Sequence, residues 1–365
     1  MARPKNHELR EFILRNVREH AGDIVPYTAK MFGVSRASAN LYMRGLISEK
    51  LIEARGRTNA RHYRLKALDT YTGEFPIGPG LREDVVLREH ISPHLKCLPS
   101  NIVHICEYGF SEMLNNVIDH SEGTLCKVRF SRDYALVKLE VLDNGVGIFD
   151  KIARECHLAD KREAILELSK GKLTTDSSKH TGEGIFFTSR MFDRFTIMSG
   201  DLRYRRTKRE NDEWLVESKL QKWLISSNFG KEFERGTCVV MEIPTDSSLT
   251  TKEVFDKYVD DNYRFSRTHV PLVLAKYEGE NLVSRSQARR LLARVERFSE
   301  VILDFRGINE IGQAFADEIF RVWTREHSNT KVVTMGVSAD VQRMIGHAMV
   351  NAADQEAAAA QKPAK

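Results

Sequence analysis

Three short boxes between residues 100 and 192 restrict the fold of this chain more than any other feature. From Ser100, which can cap a helix, Ile102, Val103, Cys106, Phe110, Met113, Leu114 and Val117 recur at helical spacing as one apolar stripe. Glu112, Asn116 and His120 stand at i, i+4 and i+8, on a second face about a quarter turn away. A carboxylate, a carboxamide and an imidazole in one row suit a magnesium nucleotide. Mg²⁺ takes hard oxygen ligands and keeps several waters, and a carboxylate can orient or deprotonate a water. Two strand-like runs follow, 125–130 and 136–142, and the second enters Asp143-Asn144-Gly145-Val146-Gly147. An acid at a strand end, with two glycines around one apolar residue, lets backbone approach a flat ligand closely. Residues 150–180 are polar and contain KGKLTTDSSKH, which reads as a mobile lid. His180-Thr181-Gly182-Glu183-Gly184-Ile185 then opens another helix, and glycines at a helix N-terminus expose N–H groups to an anion.

In this order and spacing the boxes resemble the GHKL ATP-binding superfamily of gyrase-type ATPases, heat-shock chaperones, sensor histidine kinases and anti-sigma-factor kinases. The last group is nearest, because its first box also ends in His. The resemblance spans residues 100–248 and implies a Bergerat α/β sandwich, with helices on one face of a mixed sheet and ATP beneath a lid. Carried over position by position, it implies that Asn116 coordinates Mg²⁺, Glu112 is the catalytic base and His120 belongs to the nucleotide pocket. It further implies that Asp143 accepts the adenine amino group over Gly145 and Gly147, while Gly182 and Gly184 hold phosphates. Thr188 adds a hydroxyl, and Lys172, with Lys170 and Lys179, supplies lid cations. Runs at 195–199, 223–227 and 237–243 read as further strands, and Arg203–Lys208 as an exposed edge or hairpin. His90 and His94 do not form the phosphoacceptor helix of a sensor kinase, because Pro93 disfavours a continuous helix there.

Charge marks a second activity. Residues 1–68 carry 14 Lys/Arg against 6 Asp/Glu, a balance of +8, whereas the remainder is slightly acidic. Such a head is drawn to polyanions. Leu9, Phe12, Ile13 and Val17 mark one helix, 27–32 a second, and Ser35 is a good N-cap for a third over 36–49. A basic hairpin closes the segment. This order resembles a winged helix-turn-helix over residues 1–68, which implies binding to double-stranded DNA. The third helix presents Arg36, Ser38, Asn40 and Arg44, and the hairpin tip adds Arg55, Arg57 and Arg61. Residues 69–99, with DTYTGEFPIGPG, read as a linker.

Strand and helix alternate over 265–348, which argues a small parallel or mixed sheet. VILDFRGINEIGQAFADEIF resembles the STAS-like domain of unknown function and, more distantly, the STAS domain of anti-sigma-factor antagonists. Those antagonists carry a phosphorylatable Ser where this chain has Gly312-Gln313-Ala314, so an ATP site acting on the chain's own STAS-like domain is expected to do so by docking rather than by phosphorylation. The resemblance also makes this domain a surface for a protein partner. The tail, 351–365, reads as disordered low complexity. Five scattered cysteines without a CxxC pair argue against a disulfide framework or thiolate zinc site and for a reducing cytoplasm. The start of the chain lacks a signal-peptide apolar core, no apolar run is long enough to cross a membrane, and a homodimer is the default for a winged helix. The expectation is thus a multidomain α/β protein of winged helix-turn-helix, GHKL sandwich and STAS-like domain. Its expected function is that of a DNA-binding transcriptional regulator switched by Mg-ATP, with slow hydrolysis or none. The alternative is a serine/threonine kinase of the anti-sigma-factor type acting on a separate partner.

Overall fold

The computed structural model describes residues 6–56, 61–173, 182–208, 212–217, 230–277 and 280–360, and the fold is a multidomain α/β arrangement with three sheets among them. The basic head has its own core. Helices α1 (Asn6–Asn16), α2 (Ile24–Phe32) and α3 (Arg36–Ser48) pack Leu9, Ile13, Val17, Ile24, Met43 and Leu46 together, and the hairpin of β1 (Ile52–Arg55) and β2 (His62–Leu65) closes over them. Gly33 ends α2 in the left-handed conformation, and the Ser35 hydroxyl caps α3 by accepting from Ser38 N at 3.1 Å.

The central unit is a seven-stranded sheet. Its members are β3 (Asp69–Pro76), β4 (Leu125–Arg132), β5 (Leu136–Asp143), β6 (Arg194–Ser199), β7 (Leu202–Thr207), β8 (Glu213–Glu217) and β9 (Thr237–Pro244), in the order β3-β4-β5-β9-β6-β7-β8. Every pair is antiparallel, so the mixed sheet expected from the resemblance is not what forms. Val128, Phe130, Val137, Leu139 and Val141 alternate toward one face, where they share a core with the apolar stripe of the long helix α6 (Ser100–His120). The segment expected as a linker is part of this unit. Residues 69–76 alternate half-buried and exposed side chains and pair with β4 as an edge strand, a role that tolerates Pro76. Residues 83–95 are helical, as α4 (Glu83–Val86), a π turn over Leu87–Ile91 and α5 (Ser92–Leu95). Pro93 is accommodated at the first turn of α5. The His94 ring is engaged with the Asp69 carboxylate at 2.9 Å.

The supposed lid contains helix: 150–155 belong to α7 (Ile148–Glu155) and 163–170 form α8 (Glu163–Lys170), while 174–181, with Lys179, falls outside the described residues, as does the strand expected at 223–227. Arg203–Lys208 is not an exposed edge. Residues 203–207 belong to β7, which forms the expected hairpin with β6 and is covered on its other side by β8, and Arg206 is buried. Helix α9 (Gly184–Met191) leads into β6. After α10 (Thr251–Tyr258), β10 (Arg267–Pro271), α11 (Arg285–Leu292), β11 (Glu300–Asp304), α12 (Gln313–Asp317), a π turn over Glu318–Trp323, α13 (Thr324–Glu326), β12 (Lys331–Met335) and α14 (Ala339–Ala360) follow. The three strands form a parallel sheet in chain order, each crossover being helical. The tail expected as disordered continues α14 as far as Ala360, in keeping with the high helix propensity of its alanines; 361–365 lie outside the described residues. Among the described residues no helix is long and apolar enough to cross a membrane.

The units are joined in two ways. The head rests on the β4–β5 turn and the segment after β9: Arg18, just past α1, pairs with Asp133 at 2.5 Å, Arg15 of α1 with Asp246, and the Tyr134 hydroxyl with Glu11 of α1. The central and C-terminal units instead share one continuous apolar core.

Candidate functional site

The polar row of α6, the end of β5 and the start of α9 converge on one cavity of about 330 Å³. Glu112, Asn116, His120, Asp143, Gly147, Gly182 and Gly184 all line it, with Leu168 and Leu173 from the α8 side. That volume is within the range of small-molecule sites. Val141, Ile148, Ile152 and Val239 give it an apolar wall.

Asp143 is a strongly perturbed group of the cavity wall. It is buried, and burial pushes its carboxyl up to about 6, against the opposing pull of hydrogen bonds from Gly145 N at 2.8 Å and from Thr237. Thr237 N lies 3.3 Å from the same oxygen, and the Thr237 hydroxyl accepts from Ile148 N at 3.0 Å. Thr237 therefore clamps Asp143 and the start of α7 together. No pattern near 237 announced it; the only local signal was Gly236-Thr237 entering a strand. A Cβ on Gly236 would stand 1.7 Å from the Asp143 carbonyl, which explains that glycine.

The other glycines have equally concrete reasons. A Cβ on Gly145 would meet the Ser121 carbonyl at 1.9 Å, and Val146 N donates to that same oxygen at 2.9 Å. The box is thus tied to the end of α6. Gly147 has φ +83° and faces Ser199 and the Arg235 carbonyl, a position closed to any side chain. Gly145 itself packs behind the wall and does not line the cavity. Asn144 is structural: its carboxamide oxygen accepts from Thr124 N and Leu125 N at 2.8 and 2.9 Å.

At the opposite end, the Glu112 carboxylate lies against Gly184, where a Cβ would be 2.1 Å from Oε2. Gly182, with φ +70°, is pressed onto the backbone of Leu173. The Asn116 carboxamide nitrogen is buried without a hydrogen-bond partner among the described residues. This nitrogen is therefore open to an acceptor of a ligand, and exchange of the two carboxamide ends would turn the oxygen to the same place. No cluster of three or more His, Cys, Asp or Glu able to hold a metal occurs among the described residues, so a cation here would need oxygens from its ligand. Lys151, unnoticed in the sequence, lines the cavity and donates to the His120 carbonyl at 2.8 Å, at the C-terminal end of α6.

Three candidates lie elsewhere. Thr188 is fully buried and packs toward Gly109, away from the cavity. Lys170 is buried in an ion pair with Glu167 at 2.7 Å and donates to the Arg290 and Ala293 carbonyls. Lys172 donates to the Arg297 carbonyl at 2.9 Å and lies 4.4 Å from the centre of the Phe298 ring; burial lowers its pKa. Lys170 and Lys172, placed in a lid by their polar surroundings, thus turn toward the C-terminal unit instead. In the head, Arg36, Ser38, Arg44, Arg55 and Arg61 are exposed, Asn40 is half-buried, and Arg57 lies outside the described residues.

The C-terminal unit has an alternating strand–helix order and a three-stranded parallel sheet, with Gly312 at the N-cap of α12 and Gln313 as its first residue. Residues 287–342 match the family described as the STAS-like domain of unknown function (DUF4325). No curated protein matches the chain. The STAS-like unit is anchored to α8. Arg294 reaches Glu167 at 2.9 Å, Arg290 reaches Glu163 at 3.1 Å, and the Thr268 hydroxyl donates to the Lys170 carbonyl at 2.6 Å. In its interior, His269 bonds the Asp304 carboxylate at 2.9 Å, and this contact and Arg306 hold Asp304 well below the usual carboxylate range.

Proposed function

We propose that this protein is an ATP-binding, DNA-binding transcriptional regulator in which Mg-ATP at the cavity of α6, β5 and α9 changes how the units are arranged. The observation that carries the reading is the convergence of Glu112, Asn116, His120, Asp143, Gly147, Gly182 and Gly184 on one cavity. In this reading the central unit is a GHKL-type sandwich and the head a winged helix-turn-helix. Asp143, buried in the cavity wall with its Oδ1 held by Gly145 N and Thr237 N, suits the amino group of adenine. Asn116, with its carboxamide ends exchanged, would give Mg²⁺ an oxygen, and the glycines at the start of α9 would face the phosphates. Bound Mg²⁺ would offset phosphate charge. Glu112, beside Gly184, is positioned to orient or deprotonate a water near that helix end.

The route to the other units runs through α8. Leu168 and Leu173 face the cavity, and Lys170 between them holds the STAS-like unit. A ligand that draws this wall inward acts on that unit first. The head rests at the other end of β5, seven residues and about 24 Å of strand from Asp143.

Incubation of the full chain with γ-labelled ATP and Mg²⁺ tests the reading. Wild type should bind ATP, Asn116→Ala should lose at least tenfold in affinity, and any slow phosphate release should vanish in Glu112→Ala. Label attached to an added protein would make the chain a kinase, and an absence of wild-type binding would end the nucleotide reading. Arg36→Ala with Arg44→Ala should weaken DNA binding about tenfold and leave ATP binding unchanged, as measured by fluorescence anisotropy and calorimetry. Equal loss of both activities would contradict separate sites.

A further inference from the structure

We propose that Leu41, on the outward face of α3, seats against the C5-methyl of a thymine; this rests on the DNA-binding reading above, in which that face enters the major groove. Ala39, Met43 and Leu46 of α3 face the core of the head. At 100° per residue, Ala37, Leu41, Arg44 and Ser48 form a row diametrically opposite, and all four are exposed. Leu41 stands in the middle of that row with 69% of its surface open to solvent.

A single exposed leucine is ordinary on a protein surface. This one is distinguished by its neighbours. Arg44 lies one turn beyond it and Asn40 beside it, the two side chains whose donor and acceptor geometry fits guanine and adenine edges. Ala37, one turn before, is small enough for the helix to seat deeply. The hairpin carries the exposed Arg55, Arg61 and Arg64 on the same head, whose balance over residues 1–68 is +8. That charge fits a phosphate backbone and disfavours a neutral protein groove as the occupant. Access is open as well, since the head is docked through α1 and the ion pairs of Arg15 and Arg18, which leaves α3 clear of the sheet. Thymine is the one base that offers a methyl group in the major groove, so an aliphatic side chain between two polar readers selects it.

The test selects duplexes from a random pool with the full-length protein, then replaces each thymine of the selected site singly by deoxyuridine, which removes only the methyl. Wild type should lose about fourfold in affinity at one thymine, the loss expected from one methyl left unburied. Leu41→Ala should bind the thymine and deoxyuridine duplexes equally, with its thermal midpoint unchanged because the side chain is exposed. Tight binding with no deoxyuridine-sensitive thymine, or sensitivity that survives Leu41→Ala, overturns the Leu41 contact and leaves DNA binding standing. A pool that enriches no duplex, with bulk DNA binding indifferent to Arg44→Ala, overturns the contact and the DNA reading together and returns the face to a protein partner.

Discussion

Asp143→Asn is expected to weaken ATP binding by about 10- to 100-fold, the loss of one hydrogen bond to a charged acceptor in a buried site. It should also flatten the pH dependence. In the free protein burial raises the Asp143 carboxyl to about 6, so between pH 4 and 6 the folded state holds a proton that the unfolded state has released. Stability therefore falls as pH rises through that window, by up to about 3 kcal/mol. A ligand that donates an N–H to the ionised carboxylate responds with the opposite sign. Its affinity rises with pH and should be about tenfold greater at pH 7 than at pH 5, because the ionised fraction changes by that factor around a value near 6. Calorimetric titration at several pH values reads both effects. The same series on Asp143→Asn gives the part that belongs to ionisation of the phosphates, and the difference is the part owed to Asp143. Identical profiles for the two proteins would mean that the carboxyl does not meet the ligand.

Lys170→Met should lower stability by about 3–5 kcal/mol, the penalty for removing one member of a buried ion pair. The ammonium is enclosed by Glu167 at 2.7 Å and the Arg290 and Ala293 carbonyls at 3.1 and 2.9 Å. Methionine matches the stem but leaves both carbonyls without that donor, and Glu167 keeps its pair with Arg294. Because the central and STAS-like units share one core, the loss should appear in a single transition that includes both, while the separate core of the head keeps its own midpoint. Calorimetry resolves the two. Under the lid reading of Lys170, the same substitution would reduce phosphate affinity and leave the midpoint in place. The geometry predicts the reverse order of effects: a large fall in the midpoint, and a smaller change in nucleotide affinity passed on through Leu168 and Leu173.

The elements most legible in the sequence are those whose signal is local. The stripe of α6 and its polar row repeat within one helix, so the placement of Glu112, Asn116 and His120 on one face follows from spacing, and packing then makes that face a cavity wall. Ser35 caps α3 through an oxygen three residues from its donor. The parallel sheet of the C-terminal unit was legible in the same way, from alternating strand and helix. Misreadings arose where local composition pointed away from the tertiary result. Residues 69–76 contain Gly and Pro and read as a linker, yet an edge strand accepts both because one of its backbone sides is left without a neighbouring strand. KGKLTT reads as a solvated loop, yet Lys170 sits among carbonyls supplied 120 and 123 residues later.

What the sequence by itself determined is therefore the chemistry available and its local geometry: a carboxylate–carboxamide–imidazole row, two glycine boxes at element ends, and a head with a basic surface and an apolar core. The tertiary structure alone decided which of these groups meet, since meeting depends on contacts between residues far apart in the chain. Thr237 lies 94 residues from Asp143 and clamps it, Lys151 caps the end of α6, and Arg290 and Arg294 join the STAS-like unit to the wall of the cavity. Burial also sets the protonation of Asp143, and burial is a property of the packed molecule rather than of any segment.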